Sequence, residues 1–332
     1  MRHPRSSLRA ASGAVLLLVL LIAAPATAAD LRFSIFHTKA DAFSVPEDKW
    51  MEAVTKQTGG RIKFKPGYAG TLFTITEAFD AVQSGAVELG LTAASVLSGK
   101  VPDVSPFEPL GAYAHGGSRY AEMLKEIEPI FEAVFAQHNV VYLWSYGGPG
   151  VTNVCRSKHT KLPDDYKGLK LRPAGRWQGF QMRALGASPV VIDPGSVYQA
   201  LQTGTIDCAL SNNNLTLSFK LHEPAKFVTQ YVLPVNWVFY LMSKKAFEAL
   251  SPEDRRILRE TSREASLTGF ALVAEAQNAS VAKLREQGAN LHPLTDAERK
   301  AFQEASRGVY DEIRKTVGEA GKKILEITAR YR

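Results

Sequence analysis

The sequence predicts an α/β protein built from two similar lobes. Helical segments and short apolar strands alternate along the chain, which is typical of an open α/β sheet. A twelve-residue pattern recurs, AVQSGAVELGLT at residues 81–92 and ALQTGTIDCALS at residues 200–211. The chain has 332 residues, whereas one domain usually takes about 100–200. These observations together indicate two lobes rather than one.

The first residues have the pattern of an export signal. Three arginines among the first nine residues precede an uncharged apolar run over residues 14–24, and small residues follow it. This order of charge, apolar run and small residues is typical of a cleavable signal. The run is too short to span a bilayer, and no cysteine follows it to carry a lipid. We therefore predict cleavage after Ala28 and release of a free exported protein.

The charge of the mature chain argues against nucleic acid as a partner. Without the signal, 37 Lys and Arg stand against 33 Asp and Glu, which leaves a net charge of +4. Basic and acidic residues are mixed at 253–256 and 296–300, as on solvated helix faces. A nucleic-acid surface needs clustered basic residues, so no nucleic-acid partner is expected.

The first third of the mature chain alternates between strand and helix signals. Residues 31–36 are predicted to be the first strand, and Ser44 is predicted to cap a helix that has Pro46 in its first turn. That helix ends at Gly59, and residues 61–65 form a second strand. Residues 77–84 have helical spacing and end at a glycine.

The internal repeat places candidate ligand residues at the ends of two strands. In each copy a helix ends on Gln-Ser or Gln-Thr, turns at a glycine, and leads into a strand that finishes at Thr92 or Ser211. A generic helix-to-strand turn explains part of the match, but a gapless match favours two related lobes. Open α/β sheets bind ligands beyond the carboxyl ends of their strands. Thr92 and Ser211 are therefore candidates on opposite sides of a cleft.

Further polar residues stand at predicted strand ends. Asn212 and Asn213 offer amide donors and acceptors to a ligand, or they cap the helix that follows; the sequence favours neither. Arg172 ends a short strand before a Pro/Gly break and a helix from about Arg176. Its guanidinium can bind a carboxylate through two parallel hydrogen bonds, or it can bridge lobe surfaces. His37 ends the first strand and is a cleft candidate for the same reason.

The last third is predicted to be helical. Ser251-Pro-Glu-Asp is a capped helix start, and the helical pattern continues to about Gln287. Such a helix is longer than one lobe needs, so it is predicted to lie across both. Another helix starts at Thr295 with a capping-box pattern that ends at Glu298.

Cys155 and Cys208 are the two cysteines of the chain. In an exported protein a disulfide between them is favoured over two buried free thiols. They complete no metal-binding pattern, and the histidines show no pair at ligand spacing. We therefore expect neither a metal ion nor a cofactor.

The common signatures of enzyme active sites are absent from the sequence. It has no Gly-x-Ser-x-Gly, no His-Glu-x-x-His, no Walker loop, and no Gly-x-Gly-x-x-Gly after a strand. No catalytic residue is predicted.

Five segments in a fixed order carry a resemblance to a known family. They are TGGRIKF at 58–64, AVQSGAVELGL at 81–91, KGLKLR at 167–172, LGASPV at 185–190 and VYQALQTGTID at 197–207. In this order they resemble the periplasmic solute receptors of tripartite ATP-independent periplasmic (TRAP) transporters, the DctP-like proteins.

The resemblance implies a two-lobe periplasmic binding protein fold with a ligand cleft between the lobes and a long helix bracing both. We expect a signal peptide at 1–28, a first lobe at 29–151 plus about 237–275, and a second lobe at 152–236 plus about 276–332. The implied function is to bind a small organic acid and deliver it to integral membrane TRAP permease subunits, without catalysis and as a monomer.

The resemblance also implies roles for single residues. Arg172 is at the position that binds the substrate carboxylate, and Arg156 lies near a second arginine of some members, although its surroundings match poorly. An aromatic residue of many relatives is missing before residues 197–198. Trp177 is a candidate to replace that ring, or it is a helix residue packed between elements. Asn236, near the predicted second crossover between lobes, is a candidate under the same two alternatives.

Two other functions stay open. An exported enzyme that uses the same cleft would change its ligand, whereas a receptor returns it intact. A sensor subunit would bind a similar ligand but dock on a different membrane partner.

Overall fold

The computed structural model describes residues 29–108, 119–148, 150–234 and 237–331. Two β-sheets organise this part of the chain. The strands of the first sheet are Ala29–Ser34 (β1), Ile62–Gly67 (β2), Leu89–Ala93 (β3), Val140–Gly147 (β4) and Trp237–Ser243 (β10), in the order β2-β1-β3-β10-β4. Its helices are Ser44–Gln57 (α1), Ala78–Ser84 (α2), Ala94–Leu97 (α3) and Tyr120–Ala136 (α4). We call this unit the first lobe.

The second sheet belongs to the other lobe. Its strands are Gly150–Cys155 (β5), Lys170–Arg172 (β6), Ser188–Pro189 (β7), Cys208–Asn212 (β8), Phe227–Pro234 (β9) and Asn290–Pro293 (β11), in the order β11-β9-β5-β8-β6-β7. Its helices are Arg176–Ala184 (α5), Val197–Thr203 (α6) and Asn213–Ser218 (α7). We call this unit the second lobe.

The remaining helices follow β10 in the chain. They are Lys244–Ala249 (α8), Pro252–Glu286 (α9), Asp296–Ala305 (α10), Arg307–Thr316 (α11) and Glu319–Ala329 (α12). Short 3-10 helices lie at Pro102–Phe107, Pro163–Tyr166 and Pro194–Ser196. Among the described residues, no helix combines the length and the apolarity that a membrane span requires.

Two neighbouring strand connections join the lobes. The chain passes from β4 into β5 and returns from β9 into β10, and each lobe pairs its two crossover strands in antiparallel fashion. The predicted α/β fold of two lobes is confirmed.

The repeat predicted from the sequence is present in the fold. Helices α2 and α6 end at Gly85 and Gly204, whose φ angles of 77° and 76° lie in the left-handed region. Glycine adopts this region without steric strain, so it permits the sharp turn into β3 or β8. A helix follows each of these strands directly, α3 in one lobe and α7 in the other.

The long helix α9 crosses both lobes, as predicted. The hydroxyl of Ser251 accepts a hydrogen bond from the Asp254 N–H at 3.0 Å and caps its first turn. The helix packs on α1 and β4 of the first lobe and on α7 of the second. A Cβ atom at Gly269 would lie 2.8 Å from the Tyr146 ring, so glycine permits the close approach of α9 to β4.

The C-terminal helix α12 belongs to the first lobe by its packing, which differs from the prediction. Ile324, Ile327 and Tyr331 join the apolar core of the first lobe, where α12 contacts α4 and the 3-10 helix at Pro102–Phe107. The prediction followed chain order, whereas apolar side chains pack on the nearest exposed apolar surface. Leu325 of α12 also shares an apolar cluster with Trp177 of α5, so the helix contacts the second lobe as well.

The predicted disulfide is confirmed. Cys155 and Cys208 are bonded, and they are cross-strand neighbours on the antiparallel pair β5 and β8 with a Cα–Cα distance of 4.1 Å. Cys208 also pairs with Leu171, directly before Arg172. The bond therefore stabilises the part of the second sheet that carries Arg172.

Replacing both cysteines by alanine should destabilise the second lobe by roughly 2–4 kcal/mol, because the bond closes a long loop in the unfolded chain. Urea unfolding, followed by near-UV circular dichroism, measures this as a lower midpoint. A reducing agent should lower the midpoint of the wild type and leave the Cys155→Ala/Cys208→Ala variant unchanged. Equal midpoints for the oxidised and reduced wild type would contradict the expectation.

Candidate functional site

The central charged group of the candidate site is the Arg172 guanidinium, at the carboxyl end of β6. Arg172 Nε donates to the Ile192 carbonyl at 2.9 Å, and Nη1 donates to the Leu210 carbonyl of β8 at 3.1 Å. These two bonds hold the side chain against the carboxyl end of β8. Arg172 is 9% exposed and is the one buried Lys or Arg among the described residues.

Arg172 lacks a carboxylate partner in the described part of the chain. Burial lowers the Arg172 pKa to about 10. The negative charge of the exposed Asp193 acts in the opposite direction, although the two side chains form no ion pair. At neutral pH the guanidinium is therefore charged. A guanidinium has five N–H donors, and two of them are used here, so Nη2 and one hydrogen of Nη1 are left for another acceptor. The site holds a buried cation with free donors.

Neutral polar side chains share one face of the second sheet with Arg172. Arg172 of β6 pairs with Ala209 of β8. Ser211 lies two residues after Ala209 on β8, so the side chains of Arg172 and Ser211 point to the same face of the sheet. Thr152 of β5 pairs with Ser211, and Gln230 of β9 pairs with Thr152. Cross-strand partners share a face. Ser211, Thr152 and Gln230 thus form a neutral row beside the arginine.

Helix α7 covers this row and adds amides to it. Gln230 Nε2 donates to Asn213 Oδ1 at 3.1 Å. Asn212 Oδ1 accepts from the Leu215 N–H at 2.9 Å and caps α7, while Asn212 Nδ2 has no partner in the described structure. The alternative left open by the sequence is therefore settled for the Asn212 oxygen, which is a helix cap, and its amide nitrogen is still available.

The lobes touch beside the Arg172 strand. Glu108 of the first lobe accepts the Gln178 N–H on Oε1 at 2.9 Å, and its backbone carbonyl accepts Gln178 Nε2 at 3.1 Å. A Cβ atom at Gly175 would lie 2.1 Å from the Ser95 carbonyl oxygen. The turn after Arg172 thus packs directly against the first lobe.

Two further contacts cross between the lobes. Asp41, in the β1–α1 loop, accepts from the Ser218 hydroxyl of α7 at 2.6 Å. Thr76 donates to Asp193 at 3.4 Å. The described structure therefore brings the lobes together on several sides of the candidate cleft.

Glu108 is buried at this interface. Burial raises the pKa of its carboxyl group to about 8, although hydrogen bonds from the first residues of α5 favour the charged form. At neutral pH the group is therefore largely protonated.

Arg156 does not join the group around Arg172. Strand β5 runs antiparallel to β8, so the end of β5 lies at the start of β8, where the Arg156 N–H donates to the Asp207 carbonyl at 3.0 Å. Arg172 reaches the other end of β8. The prediction of a ligand role for Arg156 is not supported, because the antiparallel pairing carries its exposed side chain to the opposite edge of the sheet.

Trp177 does not line the cleft. Its indole packs among apolar residues of α11 and α12, and Nε1 donates to the Ser105 hydroxyl at 2.9 Å. The ring is fully buried. Of the two predicted alternatives, the structure contains the packed helix residue.

Thr92 also lies inside the first lobe. It pairs with Phe239, whose ring packs against Phe131 and Phe135 of α4, so the Thr92 side chain is on the face that the helices cover. Its hydroxyl is closed off from solvent and has no partner among the described residues. The end of β3 lies within one residue of its predicted position, but the Thr92 side chain points into the core.

His37 belongs to a buried network instead of the ligand cleft. Nε2 contacts Glu47 Oε1 at 2.9 Å, Nδ1 contacts the Thr38 carbonyl at 3.1 Å, and Tyr240 donates to the same Glu47 oxygen. Burial favours the neutral ring, but the Glu47 carboxylate outweighs it and raises the pKa of His37 to about 8. Both ring nitrogens then donate within the protein, and neither is left for a ligand.

Asn236 lies outside the described residues. Thr152 and Gln230 were not predicted, since each is one polar residue in a strand and only the pairing register brings them beside Arg172. The part of the chain that the structure describes contains no group of three His, Cys, Asp or Glu side chains arranged to hold a metal ion.

Two α/β lobes, paired crossover strands, a bracing helix and a buried cation three residues before a turn that contacts the other lobe define a two-lobe solute-binding protein. The chain matches the DctP family of bacterial extracellular solute-binding proteins, family 7, over residues 43–316. It belongs to this family, the solute receptors of TRAP transporters.

Characterised relatives align over most of their length. The chain is 25% identical over 281 residues to the 2,3-diketo-L-gulonate-binding periplasmic protein YiaO of Escherichia coli, covering 84% of each chain. It is 26% identical over 284 residues to the C4-dicarboxylate-binding periplasmic protein DctP of Rhodobacter capsulatus, covering 81% of this chain and 82% of that one.

Solved structures show the same fold. A TRAP solute-binding protein from Sulfitobacter sp. NAS-14.1 with bound β-D-galacturonate superposes with a TM-score of 0.82 at 22% identity, covering 91% of this chain and 100% of the other. DctP7 of Bordetella pertussis, a receptor binding pyroglutamic acid, gives 0.84 at 19% identity with the same coverage.

Replacing Gly175 by alanine should weaken ligand binding by at least about tenfold, because a methyl group there collides with the Ser95 backbone and holds the lobes apart. Calorimetric titration of the receptor with its acid measures the loss. Gly195→Ala is the matched control, since nothing lies within 4 Å of a Cβ at that position. Equal affinities for the two variants would show that the Gly175 contact does not limit closure.

The stability of the protein should fall by roughly 2 kcal/mol between about pH 6.5 and pH 8.5 through His37. The pKa of His37 is raised in the folded state, so its stabilisation is complete below the unfolded pKa and is lost as pH rises through about 8. Urea unfolding across this range measures the slope.

Glu47→Gln removes the opposing charge, so burial should then lower the His37 pKa and reverse the sign of its contribution. The difference between the two profiles isolates His37 from Glu108, whose raised pKa also lowers stability as pH rises. A direct NMR titration of the wild-type ring provides a second test. A ring pKa at or below 6.5 would overturn the assignment.

Proposed function

We propose that this protein binds a small organic acid between its lobes and presents it to the integral membrane subunits of a TRAP transporter, with Arg172 binding the carboxylate. The observation that carries the proposal is the buried Arg172 guanidinium, which is charged, fixed by two backbone carbonyls and without an acidic partner. A buried cation needs an anion to offset its desolvation.

The remaining donors of Arg172 suit a carboxylate. Nη1 and Nη2 form one edge of the guanidinium, and three of their four hydrogens remain after the bonds to the backbone carbonyls. Two oxygens of one carboxylate can accept from that edge in parallel. The backbone bonds fix the plane of the guanidinium, so less side-chain freedom is lost on binding.

Ligand binding and lobe closure are linked through the chain segment that follows Arg172. Gly175 and Gln178, which contact the first lobe, lie three and six residues after the arginine. A ligand that bridges the lobes favours the closed state by its additional contacts there. We propose that the permease recognises this closed state.

The names of related proteins support an acid as ligand. They include receptors for 2,3-diketo-L-gulonate and C4-dicarboxylates, and structures with bound galacturonate and pyroglutamic acid. A carboxylate is the chemical group these ligands share. We extend that shared group, and no particular acid, to this protein.

We further propose that the mature receptor begins after Ala28, works in the periplasm as a monomer, and releases its ligand unchanged. Members of its family are transport receptors. Mass spectrometry of a bound acid before and after prolonged incubation separates a receptor from an enzyme. Co-purification with permease subunits, and not with a sensor kinase, separates a transport receptor from a sensor subunit.

Arg172→Met should weaken acid binding by at least about 100-fold, because the ligand carboxylate loses its charged donor. Thermal unfolding of the refolded, ligand-free mature protein against a panel of organic acids measures this. An acid at about 100 times its dissociation constant stabilises the wild type by about 2.7 kcal/mol, whereas a variant with at least about 100-fold weaker binding should gain no more than about 0.4 kcal/mol at the same concentration.

Arg156→Met is the matched control, since it removes an exposed arginine from the opposite edge of the same sheet. Its response to acids should equal that of the wild type. Near-normal affinity in Arg172→Met, or equal losses in both variants, would refute the assignment of Arg172.

A further inference from the structure

The distribution of charge around Arg172 limits the kind of acid that fits. We infer that the ligand carries a single carboxylate, bound by Arg172, and that its remaining polar groups are uncharged hydroxyl or carbonyl groups bound by the neutral row of Ser211, Thr152 and Gln230. This inference rests on the proposed function and narrows its substrate class from organic acids to polar monocarboxylates.

Cationic side chains of the Lys or Arg type are scarce in the interior of the described part of the protein. Arg172 is the sole buried Lys or Arg of the described residues. The internal residues that the structure does not describe are 109–118, 149 and 235–236. Their sequence contains neither Lys nor Arg, and its titratable side chains are Tyr113 and His115. A second carboxylate buried in the cleft would therefore have no second buried guanidinium or ammonium group among the described residues to pair with.

The positive charge of Arg172 is already partly offset. Asp193 lies close enough to oppose the effect of burial on the Arg172 pKa, and it accepts a hydrogen bond from Thr76 of the first lobe. Asp193 itself is exposed, at the rim of the site. Arg172 contributes one positive charge and Asp193 one negative charge, so a second ligand carboxylate would add negative charge with no buried Lys or Arg among the described residues to offset it.

The first lobe places an acidic residue at its contact with α7. Asp41 is buried there and accepts from Ser218 and from the Phe43 N–H. The His37 ring, although protonated at neutral pH, donates to Glu47 and to a backbone carbonyl. A second carboxylate near this lobe would meet the charge of Asp41. Repulsion between the second carboxylate and Asp41 would weaken the binding of a dicarboxylate.

The neutral row can bind hydroxyl and carbonyl groups. The Ser211 hydroxyl donates to the Asn212 carbonyl at 3.4 Å, and the Thr152 hydroxyl contacts the Thr216 hydroxyl of α7 at 3.5 Å, so each oxygen keeps a lone pair for a ligand donor. Gln230 adds an amide whose nitrogen donates to Asn213, which leaves its oxygen as an acceptor. Asn212 Nδ2 is a free donor at the same strand end. Neutral polar groups exchange bonds with water for bonds with such side chains at little net cost. An unpaired carboxylate in the same place is strongly unfavourable.

The inference is tested with pairs of ligands that differ by one charge and little else. Each pair is a dicarboxylate and its monoamide, such as succinate and succinamate or malate and its monoamide, and a third pair is D-glucarate and D-gluconate. Calorimetric titration at pH 7.5, where every carboxylate is ionised, compares them on the wild type, Arg172→Met and Arg156→Met. The neutral sugar D-glucose shows whether any carboxylate is needed.

For pairs that bind, we expect the monocarboxylate to bind at least about 100-fold tighter than its dicarboxylate partner. Arg172→Met should abolish that binding, and Arg156→Met should leave it unchanged. A dicarboxylate that binds as tightly as its monoamide, in a manner that depends on Arg172, would overturn this inference while leaving the proposed function intact. Failure of every acid to bind the wild type would contradict the proposed function itself.

A change in the neutral row provides a second test. Gln230→Lys places an ammonium group on the face that Arg172 and Thr152 share, so it should reduce the preference for monocarboxylates by at least about tenfold. Lys226→Gln is a control for altered net charge, since Lys226 is exposed and directly precedes β9. An unchanged preference in a folded Gln230→Lys variant would count against ligand contact by the neutral row.

Discussion

The Arg172 guanidinium is buried and has no acidic partner in the described part of the chain, and the candidate site is arranged around that charge. Two backbone carbonyls, from Ile192 and Leu210, hold its position but cannot neutralise it. Both bonds depend on β6 lying beside β8, and the Cys155–Cys208 bond fixes β8 to β5 immediately alongside. The covalent and hydrogen-bonded framework of the second lobe thus supports one unpaired positive charge at the carboxyl end of a strand.

His37 of the first lobe and Arg172 of the second lobe are both buried and positively charged, but their surroundings differ. His37 is protonated and buried, but Glu47 lies 2.9 Å from its ring and Tyr240 completes the pair. Its charge is satisfied within the first lobe, so it contributes to stability. The charge of Arg172 has no such carboxylate among the described residues, and we propose that a ligand anion supplies it. The difference between a structural cation and a binding cation is therefore the presence or absence of a neighbouring carboxylate.

Binding and closure involve the same short segment of chain. The turn after Arg172 has no room for a side chain at Gly175, because the Ser95 backbone lies against it. Glu108 then binds the backbone of α5 at Gln178. We propose that an anion bound to Arg172 also stabilises the turn that contacts the first lobe, which would link ligand binding to the closed shape.

Local signals in the sequence determined much of this protein. The capped start of α9, the capping box at Thr295, the glycine turns at Gly85 and Gly204, and the strand that ends in Arg172 were all predicted, since each depends on residues within a few positions of one another. The neighbours of Arg172 were decided only by the tertiary structure. Thr152 and Gln230 meet it through the pairing of distant strands, while antiparallel pairing moves Arg156 to the far edge and apolar packing buries Trp177. Strand direction, strand register and the surface against which a side chain packs depend on residues far apart in the sequence. A local sequence pattern therefore does not predict them.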